Sequence, residues 1–161
     1  MNRLFISRLA SPLGELILIH DGQCLWKLYS ARSGAAPSDL LEIPVPDWLE
    51  EPFAAYFGGK TDALDVIPVE LEGTAFQRQV WLALRQIPAG STWSYAKLAK
   101  EVNRPRAFRA AGTANGANPV WIVIPCHRVI ASDGRLGGYS GGLDVKQWLL
   151  KHEGVRVKGE S

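Results

Sequence analysis

A cysteine and a histidine stand side by side in the segment IVIPCHRVI, residues 122–130, as Cys126 and His127. A thiolate is a strong nucleophile, and an imidazole within hydrogen-bond reach can take the proton of the thiol. The cation of Arg128 follows directly, and a positive neighbourhood favours the thiolate form. We expect Arg128 itself to be a structural ion-pair partner and not a catalyst. We therefore interpret Cys126 as a nucleophile, suited either to displacement at carbon or to acyl transfer.

The adjacency of the two residues also sets a geometric condition. Neighbouring side chains point to opposite sides of an extended chain, so Cys126 and His127 need a turn or a bridging water before they can share a proton. Pro125 ends the apolar run before the thiol and keeps Ile124 extended. Glu153 follows an amphipathic segment and offers a carboxylate to orient the histidine.

Two other roles for Cys126 compete with this interpretation. Most lone cysteines are packed, inert core residues. A structural zinc site needs four Cys or His ligands in paired spacings, whereas the whole chain has 2 Cys and 3 His. We therefore expect no metal, and we expect His20 and Cys24 to be core residues.

The composition bounds the class of protein. The chain has 161 residues, of which 47% are hydrophobic and 21% charged, as in a soluble globular protein of one domain or two small ones. No apolar run approaches the roughly 20 residues of a membrane span, and the N-terminus lacks a signal-peptide pattern. The two cysteines do not indicate a secreted disulfide framework. We expect a cytoplasmic protein that needs no cofactor.

The charge is divided unevenly along the chain. Residues 1–72 hold 5 Lys/Arg and 11 Asp/Glu, a net charge of −6, and residues 73–161 hold 13 Lys/Arg and 5 Asp/Glu, a net charge of +8. The change of sign coincides with a change of sequence pattern, so we place a domain boundary there. A basic half-chain favours an anionic partner, with nucleic acid as the first candidate.

The first half, residues 1–72, has the pattern of a small α/β domain. The segments LFISRLA and GELILIH, with the hairpin signal Asp21-Gly22 before CLWKLYS, predict a small antiparallel sheet. Residues 31–46, rich in Ser, Ala and Pro, predict a loop. PDWLEEPFAAYFGGK predicts a helix with Gly58-Gly59 at its end, and ALDVIPVELEG predicts an extended connection to the second half.

The second half, residues 73–161, has the pattern of a mostly helical domain. Thr74 is the predicted N-cap of its first helix. Apolar residues follow at helical spacing, and they are Phe76, Val80, Trp81, Leu84 and Ile87. The segment GGLDVKQWLLKHEG predicts the last helix, with Gly154 as its end.

A pair of short helices lies between these two. Ser94 is the predicted cap of YAKLAKEV, and Pro105 suits the first turn of the helix in RAFRAAGTANG. Two short helices joined by a tight turn, the second carrying Arg106 and Arg109, are typical of a helix-turn-helix. Together with the net charge, this pair favours binding to DNA.

At these residues the sequence resembles a known family. The segments NPVWIVIPCHRVI (118–130) and GYSGGLDVKQWLLKHEG (138–154) resemble the methylated-DNA–protein-cysteine methyltransferases, the O6-alkylguanine-DNA alkyltransferase family. SYAKLA and FRAAGTANGANP precede them in the family's order. The resemblance covers residues 73–161 strongly and residues 1–72 more loosely, through SPLGEL and AAYFGGK.

The resemblance implies a fold and a reaction. The N-terminal α/β domain would be ribonuclease-H-like, and the C-terminal domain would carry a winged-helix-like helix-turn-helix. The protein would bind double-stranded DNA as a monomer, with clustering along the DNA as an option. It would flip out an O6-alkylguanine, or less well an O4-alkylthymine, and transfer the alkyl group to Cys126 irreversibly, in a single turnover. Flipping exposes the alkyl carbon, which is inaccessible in the stacked duplex.

The resemblance also implies roles for particular residues. Cys126, His127 and Glu153 would be catalytic, with the histidine acting on the thiol through a water. The DNA-binding and base-binding residues would be Tyr95, Arg109, Asn118, Tyr139, Ser140 and Lys146.

Within that second set the implied roles differ. Tyr95 would donate to the base and crowd its phosphate, and Arg109 would fill the gap left in the stack. Asn118 would brace the turn that follows the recognition helix, while the other three would line or shape the pocket. Small residues, Ala110, Ala111, Gly112 and Ala114, would let the recognition helix enter the minor groove.

Two departures and two competing functions accompany the resemblance. Trp121 and Phe108 are bulkier than the residues expected there. Trp121 would either narrow the range of alkyl groups or only pack, and Phe108 would be a core anchor or a DNA wedge. A lesion-binding protein without enzymatic activity is the alternative, although such proteins lack the cysteine. A thiol hydrolase would share the Cys/His/Glu logic but would not need the basic helix-turn-helix.

Overall fold

The computed structural model describes residues 3–31, 34–137, 139 and 142–156. The chain divides into two compact units, Met1–Glu72 and Gly73–Ser161. This division falls where the net charge of the sequence changes sign. Each unit contains both strands and helices.

The first unit is built on a four-stranded sheet. Its strands are β1 (Phe5–Leu9), β2 (Leu16–His20), β3 (Leu25–Tyr29) and β4 (Leu41–Glu42), in the spatial order β3-β2-β1-β4. The alternating segments pair antiparallel as hairpins, because turn residues separate them.

The prediction of an antiparallel sheet is wrong at one edge. Strand β4 lies within the predicted loop and pairs parallel to β1, so the sheet is mixed. Its two residues carry no alternating pattern. The strand forms only because the edge of β1 offers hydrogen-bonding groups for it to pair with.

One helix and one short turn complete the first unit. Helix α1 spans Asp47–Phe57, as predicted, and buries Leu49, Phe53 and Tyr56. The connection predicted to be extended instead contains a 3-10 turn, Ala63–Val66. It extends only after that turn, where Val69 bridges to Leu25.

The second unit is built around the predicted helices. Helix α2 spans Ala75–Leu84, and the Thr74 cap is confirmed, with Thr74 and Gln77 each bonding the other's backbone N–H in a capping box. Helix α3 spans Tyr95–Glu101, and the side chain of Ser94 accepts from the backbone N–H of Lys97. Helix α5 spans Leu143–His152.

Helix α4 starts later than predicted. It spans Phe108–Gly116 and packs on α2 and α3. Pro105 therefore lies in the connection and not in the first turn of the helix. Asn103, with a positive φ of 60°, reverses the chain after α3, and the connection continues as turns. The two helices form the predicted pair.

A small parallel pairing positions the thiol segment. Strand β5 (Trp93–Ser94) pairs with β6 (Val129–Ile130). The first of these strands leads directly into α3, and the second follows the PCHR segment. The pairing therefore places the start of α3 beside the residues that follow Cys126.

Candidate active site

Two consecutive turns present the thiol. Pro125 has φ −81° and ψ 63°, an inverse γ-turn, and the N–H of Cys126 donates to the carbonyl of Ile124 over 2.8 Å. Cys126–Arg128 then form one turn of 3-10 helix. The apolar run before the thiol is therefore folded into turns, and the turn that adjacent Cys and His side chains require is present.

The side chains of His127 and Arg128 converge on one carboxylate. Glu153 accepts from Nε2 of His127 over 2.8 Å, and from Nε and Nη2 of Arg128 over 2.8 and 3.1 Å. Nη1 of Arg128 donates to the carbonyl of Ile87 over 2.7 Å, which ties this cluster to the end of α2. All three charged or titratable side chains are buried.

This cluster has a defined protonation state. Burial alone would raise the pKa of Glu153, but its bonds to His127 and Arg128 lower that pKa to about 2, so the group is an anion. Burial lowers the pKa of His127 although Glu153 opposes the shift, so the imidazole is neutral near pH 7. A neutral imidazole bound to a carboxylate through Nε2 carries its proton there. Nδ1 therefore remains a hydrogen-bond acceptor.

The structure corrects the expected electrostatic role of the flanking residues. The guanidinium of Arg128 pairs with Glu153, which confirms the expected ion-pair role of Arg128. Because this charge is neutralised by the carboxylate, it does not supply the positive field that the sequence predicts at the thiol. The cation that acts on Cys126 is instead Lys146 of α5, which is buried. Its Nζ donates to the carbonyl of Val129 over 2.7 Å.

The thiol itself lies in a mixed environment. Burial raises the pKa of Cys126, while hydrogen bonding from Asn118 and Tyr139 and the charge of Lys146 lower it, with burial the larger effect. Burial also lowers the pKa of Lys146 to about 8. In the resting protein Cys126 is therefore a neutral thiol, and a nucleophilic role for it would need a base.

Asn118 holds the turns in front of the thiol. Its Oδ1 accepts from the N–H of Val120 over 2.9 Å, and its Nδ2 donates to the carbonyl of Ile124 over 2.7 Å. Between them Ile122 is buried with a positive φ of 75°, a strained conformation for a β-branched residue. The amide of Asn118 thus pairs backbone groups of Val120 and Ile124 that a neighbouring strand would otherwise have paired.

Tyr95, the first residue of α3, is half-buried beside the thiol. Burial and the neighbouring Cys126 both raise its pKa. A Cβ at Gly112 of α4 would lie 3.4 Å from its ring, and a Cβ at Gly137 would lie 2.8 Å from its hydroxyl. Gly137 also has a positive φ of 70°. Gly137, which begins the run GGYSGG, carries no sequence-based prediction.

Tyr139 occupies another side of the site. Its ring meets that of Trp121 edge-on with the centroids 6.2 Å apart, and Nζ of Lys146 lies 5.9 Å from its centre. Trp121 is buried. Ser140, the remaining predicted pocket residue, lies outside the described residues.

The outer face of α4 is basic and built from small residues. Arg109 and Ala110 are exposed, as is Thr113 one turn later. Ala111 and Ala114 are buried against the rest of the unit, so these two residues do not face outward as predicted. Phe108 is 49% exposed, which excludes a core anchor.

Asn115, also on α4, was missed from the sequence. It is buried, and its Nδ2 donates to the carbonyl of Cys126 over 3.3 Å. A buried amide needs hydrogen-bond partners, but only the packing of α4 shows which of its side chains are buried.

The described residues contain no cluster of three or more His, Cys, Asp or Glu side chains suited to a metal ion. Cys24 and Cys126 are both free thiols. Among the helices of the described ranges, none has the length and apolar character required to cross a membrane.

Comparison with known proteins links this geometry to a family. Residues 75–155 match the model of the DNA-binding domain of 6-O-methylguanine DNA methyltransferase. A methylated-DNA–protein-cysteine methyltransferase of Shigella flexneri is 42% identical over 171 residues, covering 96% of this chain and 98% of the relative. One from Methanosarcina barkeri is 41% identical, covering 93% and 97%.

Comparison with solved structures leads to the same family. The crystal structure of Mycobacterium tuberculosis OGT in complex with DNA has a TM-score of 0.84 and 36% sequence identity, covering 92% of each chain. The O6-methylguanine-DNA methyltransferase of Pyrococcus kodakaraensis strain KOD1 has a TM-score of 0.65 and 28% identity, covering 94% of this chain and 99% of that one.

Proposed function

Because this chain belongs to the 6-O-methylguanine DNA methyltransferase family, we propose that it repairs DNA by moving an alkyl group from the O6 atom of guanine to its own Cys126. The observation that carries the proposal is the buried cysteine followed directly by a histidine that a carboxylate fixes in one tautomer. That arrangement is an activated nucleophile with an oriented base.

The reaction is a single displacement. The proton of the Cys126 thiol passes through a water to Nδ1 of His127, and the imidazolium is stabilised by Glu153. The sulfur forms a bond to the alkyl carbon as the carbon–oxygen bond breaks, and the electron pair stays on the guanine. Tyr95, beside the sulfur, donates a hydrogen bond to the leaving purine. The product is a stable thioether, so each molecule acts once.

Helix α4 is the proposed DNA-recognition element. Its exposed face combines Arg109 with small residues, which suits a minor-groove approach governed by shape and phosphate contacts. Arg109 fills the gap that the flipped base leaves. Phe108, half-exposed on the same helix, lies where it adds an apolar wedge. The net charge of +8 on residues 73–161 supplies the attraction to the duplex.

The proposal has finer parts. Tyr139 and Lys146 shape the base pocket, together with Ser140, and O4-alkylthymine is a poorer substrate. We assign a ribonuclease-H-like scaffold to the first unit and a winged-helix-like arrangement to the second. The partner is duplex DNA with alkylated bases, bound by a monomer that is able to cluster. We place the protein in the cytoplasm, a reducing compartment in which free thiols such as Cys24 and Cys126 persist.

The intact mass of the protein tests the proposal. After mixing with a duplex that carries one O6-methylguanine, we expect one methyl group per protein, located on Cys126. Cys126→Ser should lose transfer and keep DNA binding, whereas the matched control Cys24→Ser should behave like the wild type. Binding without any mass change would indicate a lesion-binding protein, and repeated turnover would indicate a hydrolase.

A second experiment tests the role of Arg109. If its side chain fills the gap in the stack, Arg109→Ala should slow transfer from a duplex much more than transfer from the same lesion in a single strand. The salt dependence of binding should change little, because it is set by the phosphate contacts as a whole. Equal transfer rates for mutant and wild type on duplex DNA would refute the assignment.

A further inference from the structure

Two buried polar atoms near the thiol have no hydrogen-bond partner within the described part of the chain. They are Oδ1 of Asn115 and Nδ1 of His127. Both belong to side chains tied to Cys126, since Nδ2 of Asn115 bonds the carbonyl of Cys126 and His127 is the next residue. Buried polar atoms in proteins are nearly always paired with protein or water.

The orientation of both groups is fixed by their other bonds. The amide of Asn115 must direct Nδ2 to the carbonyl of Cys126, over 3.3 Å, so Oδ1 is the atom left over. The imidazole of His127 directs Nε2–H to the anionic Glu153, over 2.8 Å, so Nδ1 is left with a lone pair. The two unpartnered atoms are therefore both acceptors, and neither can satisfy the other.

A water molecule has the two donors that such a pair requires. We propose that Asn115 is a positioning residue for alkyl transfer, and that its Oδ1 and Nδ1 of His127 together hold the water through which Cys126 loses its proton. The inference rests on the proposed function, because it assigns the water of that reaction a second anchor on the recognition helix.

The proton steps balance. The water donates one hydrogen to Oδ1 of Asn115 and one to Nδ1 of His127, and it accepts the hydrogen of the Cys126 thiol. The thiol proton moves to the water oxygen as the water's own proton moves to Nδ1. The products are a thiolate, a neutral water still held by Asn115, and an imidazolium paired with Glu153. No other reactant is needed.

The location of Asn115 gives the water site a second consequence. Asn115 lies on the buried side of α4, and Arg109 is exposed on the same helix. A shift of α4 on the DNA therefore moves one anchor of the water relative to His127. The recognition helix and the proton path are in this way mechanically connected.

Several charged or titratable groups face this path, and an experiment on pH dependence must allow for them. They are Glu153, Arg128 and Lys146 around His127, and Tyr95, Tyr139 and Lys146 around Cys126. Lys146, with its pKa lowered by burial to about 8, changes its charge within the pH range of the experiment and acts on Cys126. The ratio of variant to wild-type rates at each pH removes this shared contribution.

The test compares Asn115→Leu, of similar volume, with the wild type in single-turnover methyl transfer at saturating duplex. We expect a loss of at least about tenfold at pH 7, because assistance by a positioned base contributes about 10²–10⁴-fold. The loss should shrink as the pH rises beyond the ordinary thiol value of about 8.5. A loss that is equal at every pH, or no loss, would overturn the inference.

A matched control separates this effect from general damage to the fold. Gln79 of α2 also donates its amide to a backbone carbonyl, that of Val102, over 3.2 Å, in the same unit. Gln79→Leu therefore removes one comparable bond away from Cys126, and we expect wild-type rates and a wild-type pH profile from it.

Two further measurements keep the inference separate from the proposed function. In a Cys24→Ser background, alkylation of Cys126 by iodoacetamide against pH reports its ionisation even if no methyl transfer from DNA occurs. Asn115→Leu should shift that profile to higher pH. If the variant fails to fold, a crystal structure of the wild type decides. A water bonded to both Oδ1 of Asn115 and Nδ1 of His127 supports the inference, and no water there refutes it.

Discussion

Glu153→Gln should destabilise the protein strongly, because it removes the charge on which two buried partners depend. The carboxylate accepts from His127 over 2.8 Å and from Arg128 over 2.8 and 3.1 Å. Glutamine has nearly the same shape as glutamate, but its NH2 group would face an N–H group of His127 or Arg128, and two donors cannot form a hydrogen bond with each other. It also leaves the guanidinium of Arg128 buried without a counter-ion.

The magnitude follows from the pKa of the carboxyl group. A fall from the ordinary 4.5 to about 2 corresponds, at about 1.4 kcal/mol for each pH unit, to about 3 kcal/mol of stability at pH 7. Removing one partner of a buried ion pair typically costs about 3–5 kcal/mol, which agrees. Proteins have total stabilities of about 5–15 kcal/mol, so the loss is large.

The dependence on pH has a definite sign. A carboxyl group whose folded pKa is lowered stabilises fully above its unfolded value, and that contribution is lost as the pH falls from about 4.5 toward about 2. By pH 3 roughly 2 kcal/mol of it should be gone from the wild type. Glutamine cannot titrate, so the difference in stability between Glu153→Gln and the wild type should narrow on acidification.

Urea unfolding at pH 7 and pH 3, followed by far-ultraviolet circular dichroism, measures the loss of stability in Glu153→Gln and the change of that loss with pH. Glu101→Gln is the matched control, because Glu101 pairs with Lys97 over 2.7 Å in the same unit but at the surface. Its loss should stay below about 1 kcal/mol. A loss under about 1 kcal/mol for Glu153→Gln at pH 7, or a difference that does not narrow by pH 3, would refute the reasoning.

Three further predictions concern other parts of the second unit. Lys146→Met should raise the pKa of the Cys126 thiol, because it removes a cation that lowers that pKa. The expected result is slower alkylation of Cys126 by iodoacetamide at pH 7, mapped by peptide mass, and an unchanged rate would exclude that electrostatic role. Gly137→Ala should lower the free energy of unfolding by about 1–3 kcal/mol through backbone strain, and it should slow repair because the new methyl group displaces Tyr95. The control Gly59→Ala also has a positive φ but no close neighbour, so it should lower stability and leave the repair rate unchanged. Thr74→Ala should cost about 1 kcal/mol in urea unfolding, and no loss would mean that the capping box does not stabilise α2.

The helices were predictable because their signals are local. Thr74 and Ser94 cap α2 and α3 through bonds to backbone groups only three residues away. The hairpin between β2 and β3 is equally local, since Asp21 and Gly22 set its turn. In these elements short-range chemistry and the final fold agree, so a sequence pattern suffices.

Strand β4 and the 3-10 turn at Ala63–Val66 were not predictable in this way. Two residues have no periodicity, and β4 exists only because a distant strand offers a partner. The late start of α4 has a related cause. Pro105 fits a first turn locally, but the chain makes further turns before packing against α2 and α3.

In the candidate site, too, local sequence signals were readable and long-range contacts were not. The family motifs predict catalytic roles for Cys126, His127 and Glu153, but adjacency in the sequence does not indicate the direction in which the side chain of Arg128 points. A single 3-10 turn decides that the guanidinium meets Glu153, 25 residues away, instead of the thiol. Asn115 escaped notice because only the packing of α4 reveals that its amide is buried.

The carboxylate that orients the base also sets an order of events during synthesis. The thiol segment is made before α5, yet His127 and Arg128 find their partner only at the end of that helix. Until α5 has been translated and has docked, the cysteine is present without an oriented histidine, and Arg128 has no counter-ion. In the proposed reaction Cys126 is consumed once, so a late onset of its reactivity would protect it from side reactions while the chain is incomplete.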